Sequence, residues 1–221
     1  MKTMTTRRRN LLISVLLAGL AAGLPLAAPA DDVPPDVLVK NVTLEVVDLI
    51  AKDKEIQAGN RAKLLGLIEA KVLPYFDFTA MTALALGQNW RKANPEQKAR
   101  LTEEFKILLV RTYASALAAF SDQRFDFRPL RAKPTDTDVV VQVRVLQAGA
   151  QPVPIDYSMQ KTAAGWKAYD VMVGGVSLVA NYRTEFSNVV RQSGIDGLIK
   201  NLEAKNHSLD SATRASGATR Q

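Results

Sequence analysis

Apolar residues recur every three or four positions through the first half of the chain, then every second position. After Pro34-Pro35-Asp36, the residues Leu38, Val42, Val46, Leu49 and Ile50 form one stripe of helical spacing that runs to about Gly59. Leu65, Ile68, Val72 and Phe76 mark a second helix, bent or broken at Pro74, which offers no backbone donor. Asp77 is placed to cap a third helix through Leu86, with Gly87 closing it. Asn94-Pro95-Glu96-Gln97 carries the strongest start signal: Asn at the cap, Pro at the first helical position, Gln three residues after the cap. It opens a long helix with Leu101, Phe105, Leu108 or Leu109, Thr112, Ala116 and Phe120 on one side, finished by about residue 122.

The alternating part begins at Phe125 and Phe127. Val139, Val141, Val143 and Val145 alternate with Val140, Gln142, Arg144 and Leu146, and Val153, Ile155, Tyr157 and Met159 with Pro154, Asp156, Ser158 and Gln160. Gly149-Ala150-Gln151 and Ala163-Ala164-Gly165 are hairpin-length connections, so neighbouring strands are expected to pair antiparallel. A fourth strand starts at Trp166, with Tyr169, Val171 and Val173 on one side and Asp170 and Met172 on the other. Beyond Gly174-Gly175 the helical period returns in Val176, Val179, Tyr182 or Arg183, Phe186 and Val190, stopping at Gly194 ahead of a short helix over 195–205. Helices, a meander, then helices predict an α+β fold: a four-stranded antiparallel sheet covered by several helices.

Apolar character therefore runs straight through the strand-to-helix corner, where a surface turn is usually polar. Either the corner plugs into a solid core or it lines a cavity that holds something apolar; the pattern alone is consistent with both.

The N-terminus changes the accounting of charge. Arg7-Arg8-Arg9, the apolar run Leu11–Ala28 and the small residues Ala28-Pro29-Ala30 read as a signal peptide over 1–30, cleaved after Ala30. Arg8-Arg9-Asn10-Leu11-Leu12 also fits a loose twin-arginine pattern. The whole chain carries +7; without the signal it keeps 25 basic and 22 acidic residues, a net +3. That is no footprint for nucleic acid, and none is expected as a partner. With no cysteine, an exported chain has neither disulfides nor a thiol nucleophile. One domain over 31–205 is expected to hold together by burial alone, followed by a disordered tail over 206–221.

The missing groups narrow the chemistry. His207, in the expected tail, is the one histidine, so triads and histidine or thiolate zinc sites are excluded. No phosphate-cradling glycine pattern is present, and Thr135-Asp136-Thr137-Asp138 lacks the Gly and distal Glu of a calcium loop. No metal or other cofactor is expected, and no enzyme activity. An enzyme using Asp77, Asp156 or Asp170 as a base is the alternative. Against it, Asp77 reads as a helix cap, and Asp156 and Asp170 as residues of the outer strand face. Arg124, Arg128, Arg131 and Lys133 cluster near the first strand and read as a solvated edge or a docking surface for a protein.

Four stretches carry a resemblance: Leu73–Trp90, Ala93–Leu117, Trp166–Phe186 and Ser193–Leu202. Their order and spacing resemble the MlaC family of the maintenance-of-lipid-asymmetry pathway, also called the toluene-tolerance family, over about residues 36–205. The most specific part is a Tyr-Asp-x-x-x-x-Gly-Val-Ser pattern after a Trp strand, here Tyr169, Asp170, Gly175, Val176 and Ser177. The resemblance implies an NTF2-like fold enclosing an apolar pocket and a periplasmic phospholipid carrier. It implies that lipid passes between an outer-membrane lipoprotein complex and an inner-membrane ABC transporter complex, with phospholipid as cargo rather than cofactor. A lipid-free adaptor of the transporter is the other alternative. The residues expected to contact lipid are Tyr75, Met81, Leu84, Val143, Ile155, Tyr157, Met172, Val176, Leu178, Val179 and Tyr182.

Overall fold

A computed structural model describes residues 33–119, 123–147 and 149–218; the signal peptide expected over 1–30 lies outside the described residues. Helix α1 spans Pro35–Lys52, α2 Lys54–Gln57 and α3 Arg61–Lys71. The single helix expected as far as Gly59 is divided because the Asp53 carboxylate accepts the backbone N–H of Glu55 (3.0 Å) and Ile56 (3.2 Å), opening a new helical turn. A 3₁₀ turn at Leu73–Tyr75 replaces a continued α3, since Pro74 cannot donate to the helical ladder.

Helix α4, Phe78–Leu86, starts at Asp77, whose Oδ1 accepts the Ala80 N–H at 2.9 Å. Helix α5, Pro95–Ala119, opens on a reciprocal cap: the Gln97 N–H donates to Asn94 Oδ1 (2.8 Å) and the Asn94 N–H to Gln97 Oε1 (3.1 Å). Helix α6 covers Arg183–Ala218 and is kinked at Gly194, where φ is 70°. Part of the tail expected to be disordered is therefore helical, as far as Ala218. Two contacts within it supply the reason. Asn206 is buried and donates to the Glu104 side chain at 2.8 Å, and Arg111 pairs with Asp210 at 2.8 Å, fastening the end of α6 along α5.

The sheet has five strands rather than four, in the order β1-β2-β3-β4-β5 and antiparallel throughout. They are β1 Arg124–Phe127, β2 Asp138–Leu146, β3 Val153–Thr162, β4 Gly165–Val173 and β5 Val176–Ser177. The added strand follows from Gly174 and Gly175, with φ of 59° and 84°. Two consecutive positive φ values suit a two-residue hairpin, so the chain reverses on itself before any helix begins. Two residues of strand are too few to show a period. Helix α6 starts seven residues later than the corner.

A bulge in β4 sets which residues face inward. Met159 pairs with Ala168 and Ser158 with Asp170, leaving Tyr169 without a partner across the ladder. Trp166 and Ala168 before the bulge thus share a face with Val171 and Val173 after it. Tyr169 is displaced from the side expected for it, and its hydroxyl donates to Asp138 Oδ2 at 3.0 Å.

Burial is divided among clusters. Leu101, Phe105, Phe186, Leu198 and Leu202 fill the junction of α4, α5 and α6, with the Phe105 ring edge-on to Phe186 at 5.2 Å. Val139, Val141, Val143, Met159 and Trp166 pack on the inner sheet face beneath Val39 of α1. Val46, Ile50, Leu64, Ile68 and Ala114 join α1, α3 and α5.

Candidate functional site

Between these clusters lies a cavity of about 450 Å³, within the range of roughly 300–1,000 Å³ usual for small-molecule pockets. Helix α1 supplies Leu38, Val39, Val42 and Val46, and the α3 end with its 3₁₀ turn supplies Ile68, Val72, Leu73 and Tyr75. Phe76, Phe78 and Met81 come from the start of α4, and Leu109, Val110, Tyr113 and Ala114 from α5. The sheet contributes Phe125, Ile155, Tyr157, Met159, Ala168, Val171 and Val173, with Leu178 after β5. No described charged residue lines it.

The apolar stripes on α1, α3 and α5 are therefore not consumed by helix-to-helix packing alone; part of each faces open space. The segment before α4 is held against the sheet by polar stitches. The Asp77 N–H donates to the Ala168 carbonyl at 2.9 Å, Gln160 Nε2 donates to Asp77 Oδ2 at 2.8 Å, and Lys167 donates to the Pro74 carbonyl. These bonds set Phe76 and Phe78 beside β4, where their rings form part of the wall.

Of the residues expected to touch cargo, Tyr75, Met81, Ile155, Tyr157 and Leu178 line this cavity. The others do not. Leu84 packs on the α4–α5–α6 cluster, and Val179 is fully buried within it. Tyr182 stacks its edge on Phe105 at 5.2 Å. Val143 is enclosed in the sheet cluster, and Met172 follows the bulge onto the other face. Val176 is 56% exposed, because the hairpin carries it out to solvent instead of around a corner. Phe76, Phe78, Tyr113, Ala168 and Val171 were missed as lining residues. For Ala168 and Val171 the bulge is the cause, since strict alternation cannot place both on one face.

The Tyr-Asp-x-x-x-x-Gly-Val-Ser pattern has a local structural basis. The Ser177 hydroxyl donates to Asp170 Oδ2 at 2.6 Å and accepts from the Ala180 N–H at 2.8 Å, while Asp170 Oδ1 accepts from the Val171 N–H at 2.8 Å. Asp170 is thereby buried, not solvated on the outer face as expected. Ser177→Ala leaves that carboxylate short of a donor, which should cost about 1–3 kcal/mol. The thermal midpoint should fall by several degrees; an unchanged midpoint would mean the bond contributes nothing.

Burial pushes the Tyr157 phenol up to about 12, and burial together with the neighbouring Tyr182 does the same for Tyr113. Both remain neutral over the physiological range. Among the described residues no group of three or more His, Cys, Asp or Glu is placed to hold a metal ion, and no helix is long and apolar enough to cross a membrane.

Residues 40–204 match the family model described as MlaC protein. The chain belongs to the MlaC family. The match runs from within α1 to near the buried Asn206, so it takes in all the described lining residues except Leu38 and Val39. A relative in Pseudomonas putida, toluene tolerance protein ttg2D, is 26% identical over 189 residues, 84% of this chain and 87% of its own length. The intermembrane phospholipid transport system binding protein MlaC of Haemophilus influenzae is 24% identical over 140 residues, 62% of this chain and 65% of its own. Among solved structures, a phospholipid-binding protein from Ralstonia solanacearum, determined in complex with a phospholipid, superposes with a TM-score of 0.74. It is 37% identical, and the alignment covers 82% of this chain and 99% of that one.

Proposed function

We propose that this MlaC-family protein is a periplasmic phospholipid carrier, holding acyl chains in the cavity between its helices and sheet. The observation that carries the reading is the cavity itself: about 450 Å³, with no charged side chain among the described residues that line it, in a chain similar to a protein solved with a phospholipid. Each methylene exposed to water costs about 0.8 kcal/mol, so two sixteen-carbon chains crossing bare would cost on the order of 20 kcal/mol. A carrier has to hide those methylenes while releasing them to a bilayer that solvates them equally well. A hydrocarbon wall does this without holding the cargo by charge.

The same proposal includes the rest of the route. The signal over 1–30 exports the chain, cleavage follows Ala30, and residues 31–205 form the lipid-binding domain, with an NTF2-like arrangement of helices and meander around the pocket. Cargo passes between an outer-membrane lipoprotein complex and the inner-membrane ABC transporter complex of the Mla system. A catalytic role is disfavoured by placement: Asp77 caps α4, Asp156 accepts from Gln142 at 3.4 Å, Asp170 holds Ser177, and none of the three lines the cavity.

Mass spectrometry of a chloroform extract of the purified mature protein tests the reading. Roughly one phospholipid per chain is the expected result, transferable to acceptor vesicles. A lipid-free extract from folded protein would overturn it and favour a lipid-free adaptor.

A further inference from the structure

Hydroxyl groups are scarce in the cavity wall: among the described residues, Thr43, Tyr75, Tyr113 and Tyr157 carry all of them. Three have ready explanations. A helical threonine can return its hydroxyl to the carbonyl one turn back. Tyr75 lies within electrostatic reach of Lys71 at the polar edge, and Tyr113 shares a hydrogen bond with Tyr182. Tyr157 has none. It stands in the middle of β3, flanked by Val141 and Val171, and its hydroxyl has no hydrogen-bond partner among the described residues. Nor is that oxygen sealed in protein: the fully enclosed polar atoms without a partner among the described residues are Asn201 Oδ1 and Asn206 Oδ1. The Tyr157 hydroxyl therefore opens onto the cavity.

A phenol in hydrocarbon surroundings without an acceptor is costly to keep, and a phenylalanine would fill the same space without that cost. An occupant that brings its own acceptor removes the penalty. Acyl chains have no acceptor along their length. A phosphate or a free carboxylate would carry charge into a wall with nothing to neutralise it. The neutral acceptor found at the head of each acyl chain is its ester carbonyl.

We infer that Tyr157 is a specificity-determining residue that donates a hydrogen bond to an ester carbonyl of a diacyl lipid in the cavity, an inference that rests on the carrier reading above. Because burial holds the phenol neutral up to about pH 12, it is a donor at every pH the protein meets in the cell. The rest of the wall contributes apolar contact, indifferent to how the chains are linked to glycerol. Tyr157 makes the linkage matter.

The test uses mature protein loaded from vesicles containing equal parts of diacyl phosphatidylglycerol and its dialkyl ether analogue, matched in head group and chain length. Bound lipid is then extracted and the two forms are counted by mass spectrometry. One neutral hydrogen bond corresponds to roughly five- to tenfold, so wild type should be enriched in the diacyl form by about that factor. In Tyr157→Phe the ratio should fall to near one, with a thermal midpoint at or above wild type. Tyr169→Phe, which loses a hydroxyl bonded to Asp138 away from the cavity wall, should keep the enrichment. Equal uptake of both lipids by wild type would overturn the inference while leaving the carrier reading intact, and that arm needs no variant to fold. Enrichment that survives in Tyr157→Phe, or disappears in Tyr169→Phe, would overturn it as well. Wild type that loads neither lipid would remove the carrier reading itself.

Discussion

Val143→Glu should yield no folded protein, while Val176→Glu should yield folded protein that keeps its cargo. Val143 is 2% exposed and sits on the inner sheet face, paired with Phe127 on one side and Ile155 on the other. It is absent from the cavity wall, and its cluster surrounds it with other buried hydrophobic side chains. An unpaired carboxylate there costs several kcal/mol, against a total stability of about 5–15 kcal/mol for an ordinary domain. Val176, at 56% exposure on β5, should change stability by no more than about 0.5 kcal/mol. Far-UV dichroism and the phospholipid content of the extract read both. A folded Val143→Glu would show that water enters the sheet cluster. Loss of lipid from Val176→Glu would mean that the β4–β5 hairpin closes over the cavity.

Ala168→Trp should do the reverse, keeping the fold and emptying the site. Ala168 is 3% exposed, and its side chain points from β4 into the cavity beside Phe76. An indole at that position has open space in front of it. The cost should stay at or below the roughly 1–3 kcal/mol of overpacking a filled core. Co-purified phospholipid should drop at least tenfold, with near-wild-type dichroism. Val140→Trp, on the solvent face of β2 where Val140 is 50% exposed, should leave lipid unchanged. Full lipid content in Ala168→Trp would show that cargo does not occupy this space.

The sequence was most legible where a local interaction fixes the backbone. The Asp77 cap and the Asn94–Gln97 reciprocal cap each involve residues within one helical turn, so their spacing is visible along the chain. Strand β2 is equally plain, since Val139, Val141, Val143 and Val145 are buried while every residue between them is exposed. Tertiary choices were not visible. Val39, Val42 and Val46 belong to one apolar stripe, and nothing in that stripe says which side chains meet protein and which meet space. Val179 and Tyr182 were placed on the wall because the apolar run continues past Gly175. In the structure that run is spent inside the α4–α5–α6 cluster. The end of α6 has few apolar residues, and its order depends on Glu104 and Arg111, about a hundred positions earlier. Composition near residue 206 carries no trace of them.

The bulge at Tyr169 gives β4 something like a reading frame. Were the strand regular with all its residues, everything after Ala168 would change sides: Asp170 and Met172 would turn into the cavity, and Val171 and Val173 out of it. One acidic group would then stand in a wall that has none. The unpaired residue keeps the two halves in phase, and it makes the strand unequal in its tolerance of length change. Losing Tyr169 removes the slack and preserves every facing; losing or gaining a residue between Val171 and Val173 exchanges hydrocarbon for carboxylate or thioether. An engineered deletion of Tyr169 should therefore leave what the cargo meets unaltered, whereas deletion of Met172 should not.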